Sequence, residues 1–242
     1  MRICITGYRG FIGSYLYDAL GDHDLVGLDL KDGLWGDAFH NVIGEVDVIY
    51  HLAAQTSVIG SLANPVLDAQ ANIMLTLQLI KTYPEARIIY AASGGASAQE
   101  SIASPYGLSK KVAGEYLKLL HKDYVICNLS NVFGDDGKGV LERFISEDPI
   151  TIYGDGEQTR DFVHVSDVVR GLCQALLWPK GEYFLGSDQP VRIIDIARLT
   201  GKPIQYKSER EGELYVSSVP NTAPNWKPEV TIEKYLNGGI KP

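Results

Sequence analysis

Apolar runs of strand length alternate with stretches of helical periodicity over the first half of the chain. "RICITG" is a short run rich in β-branched residues that closes on glycine, which predicts a buried strand. "FIGSYLYDALG" continues as a helix with Gly21 as its stop signal, and "DLVGLDL" follows as a second strand. The Gly-rich stretch "KDGLWGDAFHNVIG" has room for little more than one small element. "VDVIYHLAA" and "ARIIYAAS" read as further strands, separated by a single helix, "NPVLDAQANIMLTLQLIKTY", whose Asn64 and Pro65 suit its N-cap and first position. A helix from Tyr106 to about His121 and a strand "YVICNLS" complete the series. Repeated βαβ units predict an α/β fold: a Rossmann-type, doubly wound parallel sheet.

After Asn131 the pattern changes. Gly and Asp cluster and the strands shorten, while "DFVHVSDVVRGLCQALLW" reads as a strand and helix returning to the main domain. The expected organisation is a dinucleotide-binding domain over 1–132, re-entered by about 162–187. The substrate-binding region over 133–242 then forms a small C-terminal lobe from 133–161 and 188–242.

Composition narrows the function. With 242 residues, 45% of them hydrophobic, the chain can build one sizeable core. Its formal net charge is -8 and it has no run of Lys or Arg, so nucleic acid and anionic membranes are not expected partners. Cys4, Cys127 and Cys173 are far apart, with no CxxC, and the five histidines show no ligand spacing; free thiols and no metal site are expected. No apolar run reaches membrane-spanning length, and "MRICITG" reads as a strand, not a signal segment; a cytoplasmic protein is expected.

Two features carry chemistry. In "TGYRGFIG", Gly7, Gly10 and Gly13 follow a strand and open a helix. Glycines there let the backbone turn and approach a pyrophosphate at a helix N-terminus. Asp29 ends the second strand sixteen residues after Gly13. A carboxylate at that place can hydrogen-bond both ribose hydroxyls and repel a 2'-phosphate, which favours NAD over NADP, although Arg9 inside the loop could welcome a phosphate. The second feature is Tyr106, one helical turn before Lys110 on the same helix face. Such a pair is either packing or a proton-transfer device.

The motifs decide between those two. TGxxGxxG at the start, "HLAA" at 51–54, Ser93, YxxxK at 106–110, "NVFG" at 131–134 and "IYGDGEQTRDFVHVSDV" at 152–168 together resemble the extended short-chain dehydrogenase/reductase family. Within it, the chain is most similar to the NAD-dependent nucleotide-sugar epimerase/dehydratase branch, of the UDP-glucose or UDP-N-acetylglucosamine 4-epimerase kind. The resemblance implies Ser93, Tyr106 and Lys110 as the catalytic set, with Tyr106 moving the proton and Lys110 also holding the nicotinamide ribose. A phenol near pKa 10 is a poor base at neutral pH, and a neighbouring ammonium would lower it.

The resemblance further implies NAD contacts from Gly7, Gly10, Phe11, Ile12, Gly13, Asp29, Asp37, Leu52, Ala53, Ala54 and Asn72, besides Tyr106 and Lys110. It places Ser93, Asn131, Arg160, Arg210, Glu213 and Ser217 on a nucleotide-sugar substrate, with the two arginines on the diphosphate and Ser217 beside the sugar C2 substituent. A count slipped by one would leave Ser218 there with the same meaning, whereas Tyr215 would reverse it. His51 and His164 read as packing residues. A homodimer built from the helices at about 64–82 and 105–120 is implied as well.

Departures from the family pattern bear on the reaction. Dehydratases carry acidic residues directly after the catalytic Ser or Thr, and decarboxylases keep a Glu there; this chain has Gly94 and Gly95. "GASA" replaces the usual aromatic segment, Asn128 stands where an Arg is common, and the third strand is nearly gone. The expected activity is therefore epimerisation of a UDP-hexose or UDP-N-acetylhexosamine through a 4-keto intermediate. The alternatives are a reductase or dehydratase of the same family, and a non-catalytic nucleotide sensor on the same fold.

Overall fold

The computed structural model of the protein describes residues 1–29, 44–97 and 102–238. Strands β1 (Arg2–Thr6), β2 (Asp24–Leu28), β3 (Val48–His51), β4 (Arg87–Ser93) and β5 (Tyr124–Leu129) belong to the main sheet. The short strands β6 (Asn131–Phe133), β7 (Ile150–Tyr153), β8 (Thr159–Arg160) and β9 (Phe162–His164) lie outside it. Strand β10 (Gly181–Leu185) returns to its edge, and β11 (Val191–Arg192) and β12 (Ile204–Lys207) again lie outside. The six main strands run in the order β10-β5-β4-β3-β1-β2, every neighbouring pair parallel.

Their sequences explain this placement. Parallel strands are covered on both faces and so read as nearly continuous apolar runs. Ile3 and Ile5 face one core cluster and Cys4 the other, and Ile89 and Ile88 split in the same way. Helices α1 (Phe11–Ala19) and α8 (Val165–Gln174) cover the first face. Of the remaining helices, α2 (Val58–Ala63), α3 (Pro65–Ala69), α4 (Leu75–Thr82), α5 (Gly94–Ser97) and α6 (Pro105–Leu120) follow β3 and β4; α4 and α6 pack on the second face.

Helix starts follow the chemistry of their first residues. Asn64 Oδ1 accepts from Leu67 N at 3.0 Å ahead of Pro65. The side chain of Ser104 caps α6, accepting from Gly107 N at 3.2 Å, with Pro105 at the first helical position. The expected single helix through 64–83 is interrupted: a π-helical turn, Gln70–Met74, joins α3 to α4. Within it Asn72 turns its side chain inward, and Thr76 Oγ1 donates to Asn72 O at 2.7 Å. Such turns break the regular ladder to aim a side chain.

The lobe holds α7 (Val140–Ser146), α9 (Ile193–Leu199) and α10 (Ile232–Leu236), with the pairs β6–β9, β7–β12 and β8–β11 around Phe133, Phe144, Ile150, Ile152 and Ile196. Two buried acids of the "RDFVHVSD" string tie it together. Asp161 accepts from Ser187 N at 3.0 Å, Asp188 N at 3.1 Å and Val219 N at 3.3 Å. Asp167 accepts from Glu229 N and Val230 N, both at 2.9 Å. Among the described residues no helix is long and apolar enough to cross a membrane.

Candidate active site

The chain leaves β1 for β2 on one side and returns to β3 on the other, so β1 and β3 flank a switch point. Ligands of doubly wound sheets sit there, beyond the carboxyl ends of the strands. The register Thr6↔His51 sets Gly7 directly against Leu52 and Ala53. A Cβ on Gly7, whose φ is +75°, would lie 2.8 Å from Ala53 N. On Gly13 it would lie 2.1 Å from Gly7 O, so α1 approaches the loop as closely as it does only because that residue has no side chain. The Asp29 carboxylate accepts from Arg9 N at 3.3 Å, tying the second strand's end to the same loop. The cradle and the acid fit a dinucleotide: the glycines leave the space a pyrophosphate needs, and the acid lines the cleft beside it.

That cleft has a volume of about 1180 Å³ and runs from Asp29 to Ser217. Pockets for one drug-sized ligand span roughly 300–1,000 Å³, so this cleft lies above the upper end of that range. Gly7, Gly10, Phe11, Ile12, Gly13, Asp29, Leu52, Ala53 and Ala54 line one end, Ser93, Tyr106 and Lys110 the middle, and Asn131, Arg160, Arg210, Glu213 and Ser217 the other end. Asn72 does not line it. Fully buried behind the wall, Asn72 Nδ2 donates to Ser109 Oγ at 2.9 Å, and Ser109 Oγ donates to Tyr106 O at 3.0 Å. From there it supports the first turn of α6. Asp37 lies outside the described residues.

In the middle of the cleft, the Ser93 and Tyr106 side chains are hydrogen-bonded. Burial raises the Tyr106 phenol above its ordinary value; the Ser93 hydrogen bond opposes this and the charge of Asp68 adds to it. Lys110 is only 4% exposed, and desolvation pushes it down to about 7, with Asp68 pulling the other way. Its Nζ lies 4.4 Å from the centre of the Tyr90 ring. Burial is the largest influence on both groups.

His51 is buried and neutral, pushed down to about 3 by desolvation and the nearby Lys110 charge. Thr6 Oγ1 accepts from Ala53 N at 3.1 Å and donates to His51 Nδ1 at 2.9 Å. His51 Nε2 then donates to Thr76 Oγ1 at 3.0 Å, whose own proton goes to Asn72 O. This chain of partners assigns the tautomer and gives His51 a structural place.

At the far end, Glu213 pairs with Arg160 at 3.6 Å and Arg210 at 3.2 Å. The Arg210 guanidinium lies 3.6 Å from the centre of the Tyr153 ring. Ser217 is buried and faces the cleft, whereas Tyr215 is exposed and donates from its hydroxyl to Asp155 Oδ2 at 3.0 Å. Of the two, only the serine lines the cleft. Among the described residues no group of three His, Cys, Asp or Glu side chains is arranged to hold a metal.

Residues 3–184 match the model of the NAD dependent epimerase/dehydratase family. The chain belongs to that family. A UDP-glucose 4-epimerase of Mycolicibacterium smegmatis is 30% identical over 96% of this chain and 95% of its own. UDP-glucuronic acid decarboxylase 4 of Arabidopsis thaliana is 26% identical over 98% of this chain and 64% of its own. The crystal structure of UDP-glucose 4-epimerase with UDP-glucose from Thermotoga maritima is 26% identical, with a TM-score of 0.83, covering 98% of this chain and 96% of that one.

The family's cofactor is NAD, in keeping with the glycine cradle and Asp29. Reading the sequence as an epimerase/dehydratase misses Arg143, a cleft-lining cation. Arg143 of α7 lies with its guanidinium 5.3 Å from the Tyr153 ring, beside Arg210. No local signal links position 143 to 210; the two meet only because β7 and α7 close over the cleft's far end.

Proposed function

We propose that this protein is a nucleotide-sugar epimerase that inverts C4 of a UDP-hexose or UDP-N-acetylhexosamine through a transient 4-keto sugar. One observation carries the reading: Ser93, Tyr106 and Lys110 line the middle of one cleft, between the dinucleotide cradle and the arginine cluster. The glycine cradle and Asp29 would hold NAD, which would supply hydride-accepting and hydride-donating chemistry at C4. Ser93 holds the C4 hydroxyl, and Tyr106 takes its proton and later gives it back. Lys110 supplies positive charge beside the phenolate and holds the nicotinamide ribose. Arg160 and Arg210 hold the diphosphate, joined by Asn131, and Glu213 takes the substrate ribose. Residues 1–132 with 162–187 form the cofactor side and the remainder the substrate side.

Elimination of water or loss of a carboxylate would ask for an acid directly after Ser93. A Cβ on Gly94 would lie 2.7 Å from Val219 Cγ1 and 2.8 Å from Leu129 O, so no side chain fits at the first of the two positions. This supports epimerisation over the decarboxylase chemistry named for the Arabidopsis relative. We also read the assembly as a homodimer across α3, the π turn and α6, because Val66, Leu67, Met74 and Leu108 leave an apolar surface there in one chain. Incubation with UDP-glucose and no added cofactor tests the function: UDP-galactose forms without net NADH, whereas stoichiometric NADH or an unchanged sugar from folded, NAD-loaded protein refutes it.

A further inference from the structure

Arg143 belongs to the cleft wall, yet no step of the reaction uses it. Its guanidinium is held from behind. Nη2 donates to Thr151 O at 3.2 Å, and Glu147 Oε1 lies 3.6 Å from Nε. Glu147 is fixed in turn, because its Oε2 accepts from Thr151 N at 2.9 Å. Neither Glu147 nor Thr151 lines the cleft. These contacts tie α7 to β7, and a tie accounts for Nε and Nη2. It does not account for Nη1, which has no hydrogen-bond partner among the described residues, on a side chain that lines the cleft and keeps 25% of its surface exposed.

What Arg143 meets in the cleft is a flat surface. The contacts there link in series. Arg160 is 3.6 Å from Glu213, and Glu213 is 3.2 Å from Arg210. The Arg210 guanidinium is 3.6 Å from the centre of the Tyr153 ring, and the Arg143 guanidinium is 5.3 Å from the same centre. With the diphosphate on Arg160 and Arg210 and the ribose on Glu213, the base, which is bonded to that ribose, comes next, against Tyr153. Nucleobases stack on aromatic rings and on guanidinium planes alike. Phe133 and Phe162 also line the cleft, but both are buried in the lobe's core, whereas Tyr153 is half-buried and keeps part of its surface open. Arginine donates hydrogen bonds and accepts none. On the base edge, a pyrimidine of the uracil kind offers a carbonyl oxygen where cytosine offers an amino group.

We propose that Arg143 is a specificity-determining residue: it donates from Nη1 to a carbonyl oxygen on the edge of a base stacked at Tyr153, and so selects uracil over cytosine. The inference rests on the nucleotide-sugar reading for the order of the substrate's parts, and not on which carbon of the sugar is inverted. Because Thr151 and Glu147 already hold the guanidinium, little side-chain freedom is lost when the base arrives.

Binding of UDP and of CDP to the NAD-loaded protein, followed by calorimetry, tests this without turnover. The two ligands share their diphosphate and ribose, so only the base differs. The native chain binds UDP at least about tenfold more tightly than CDP, as for one good contact to a base edge. Arg143→Met loses that preference: UDP weakens by about the same factor, and CDP binds as before or more tightly. Arg143→Gln, whose amide can turn to accept or to donate, also brings the ratio near one, and carries the test if a melting curve shows the Met variant unfolded. Equal losses for UDP and CDP overturn the proposal, since a cation on the diphosphate or a mere tie between α7 and β7 would give that result. A native chain that binds the two alike, or a preference that survives both substitutions, overturns it as well. Failure to bind either nucleotide removes the nucleotide-sugar reading and this inference with it. A preference for UDP that is lost with Arg143, in a protein that epimerises no UDP-sugar, refutes the epimerase reading alone and supports this one.

Discussion

Ser217 faces Gly95 across the floor of the cleft, so closely that a Cβ on the glycine would lie 2.9 Å from the serine Oγ. Position 217 and the segment after Ser93 therefore shape one wall together. A glycine and a serine leave the space beside the sugar that bulkier residues would fill.

That wall predicts which sugars fit. UDP-N-acetylgalactosamine and UDP-galactose are both turned over by the native chain, because Ser217 leaves room for an acetamide at C2 and can hydrogen-bond it. Ser217→Tyr lowers kcat/KM for the acetylated sugar at least about tenfold more than for the plain one, in line with loss of one well-placed contact and the fit around it. Equal effects on both sugars, or a native chain blind to the acetylated one, would show that position 217 is not the gate.

Tyr106→Phe removes only the phenol oxygen from the centre of the cleft. Turnover is expected to fall about 10²–10⁴-fold, the usual contribution of a positioned acid–base group. The melting temperature and the amount of NAD carried through purification stay near the native values. Near-native turnover would take the proton relay away from this residue.

His51 sets an acid limit on stability. Its folded pKa, about 3, lies below the ordinary histidine value of 6.5, so between these the unfolded chain binds the extra proton and the folded one does not. The neutral ring's contribution is thus full above about pH 6.5 and is lost as pH falls toward 3, at up to about 1.4 kcal/mol per pH unit. His51→Gln flattens that part of the stability curve relative to the native chain. Parallel curves from pH 6.5 to 4.5, followed by urea unfolding, would contradict this.

The apolar surface of α3 and α6 predicts a dimer. Val66 is 66% exposed in the single chain, a large cost in water for a β-branched side chain on a packed helix unless a partner covers it. Light scattering at micromolar concentration gives twice the chain mass, and Val66→Glu with Leu108→Glu gives one chain mass while the far-UV spectrum is unchanged. A native chain that scatters as a monomer rules the interface out.

Much of this was legible before the fold. The glycine loop, Ser93 and the Tyr106–Lys110 pair are local: spacing of one helical turn or one strand-to-helix turn carries their meaning. Residues that act across the fold were not. Asn72 and Ser109 are 37 positions apart and meet only when the π turn packs on α6. Arg143 joins Arg210 in the same indirect way. The π turn at Gln70–Met74 escaped because the helical periodicity of 64–83 continues through it, and its cause is the inward demand of Asn72, Ser109 and Thr76 rather than any breaking residue. The string at 160–167 is legible as a motif, but only the structure separates its roles: Arg160 in the cleft, Asp161 and Asp167 as knots beneath it.

The central claim is that C4 is oxidised and reduced again within one closed site. UDP-glucose labelled with deuterium at C4, given to the purified protein with no added cofactor, tests it most directly. The account predicts UDP-galactose with the deuterium retained at C4 and no accumulation of NADH. Product with the label washed out to solvent, or loss of water or carbon dioxide in place of inversion, would contradict it.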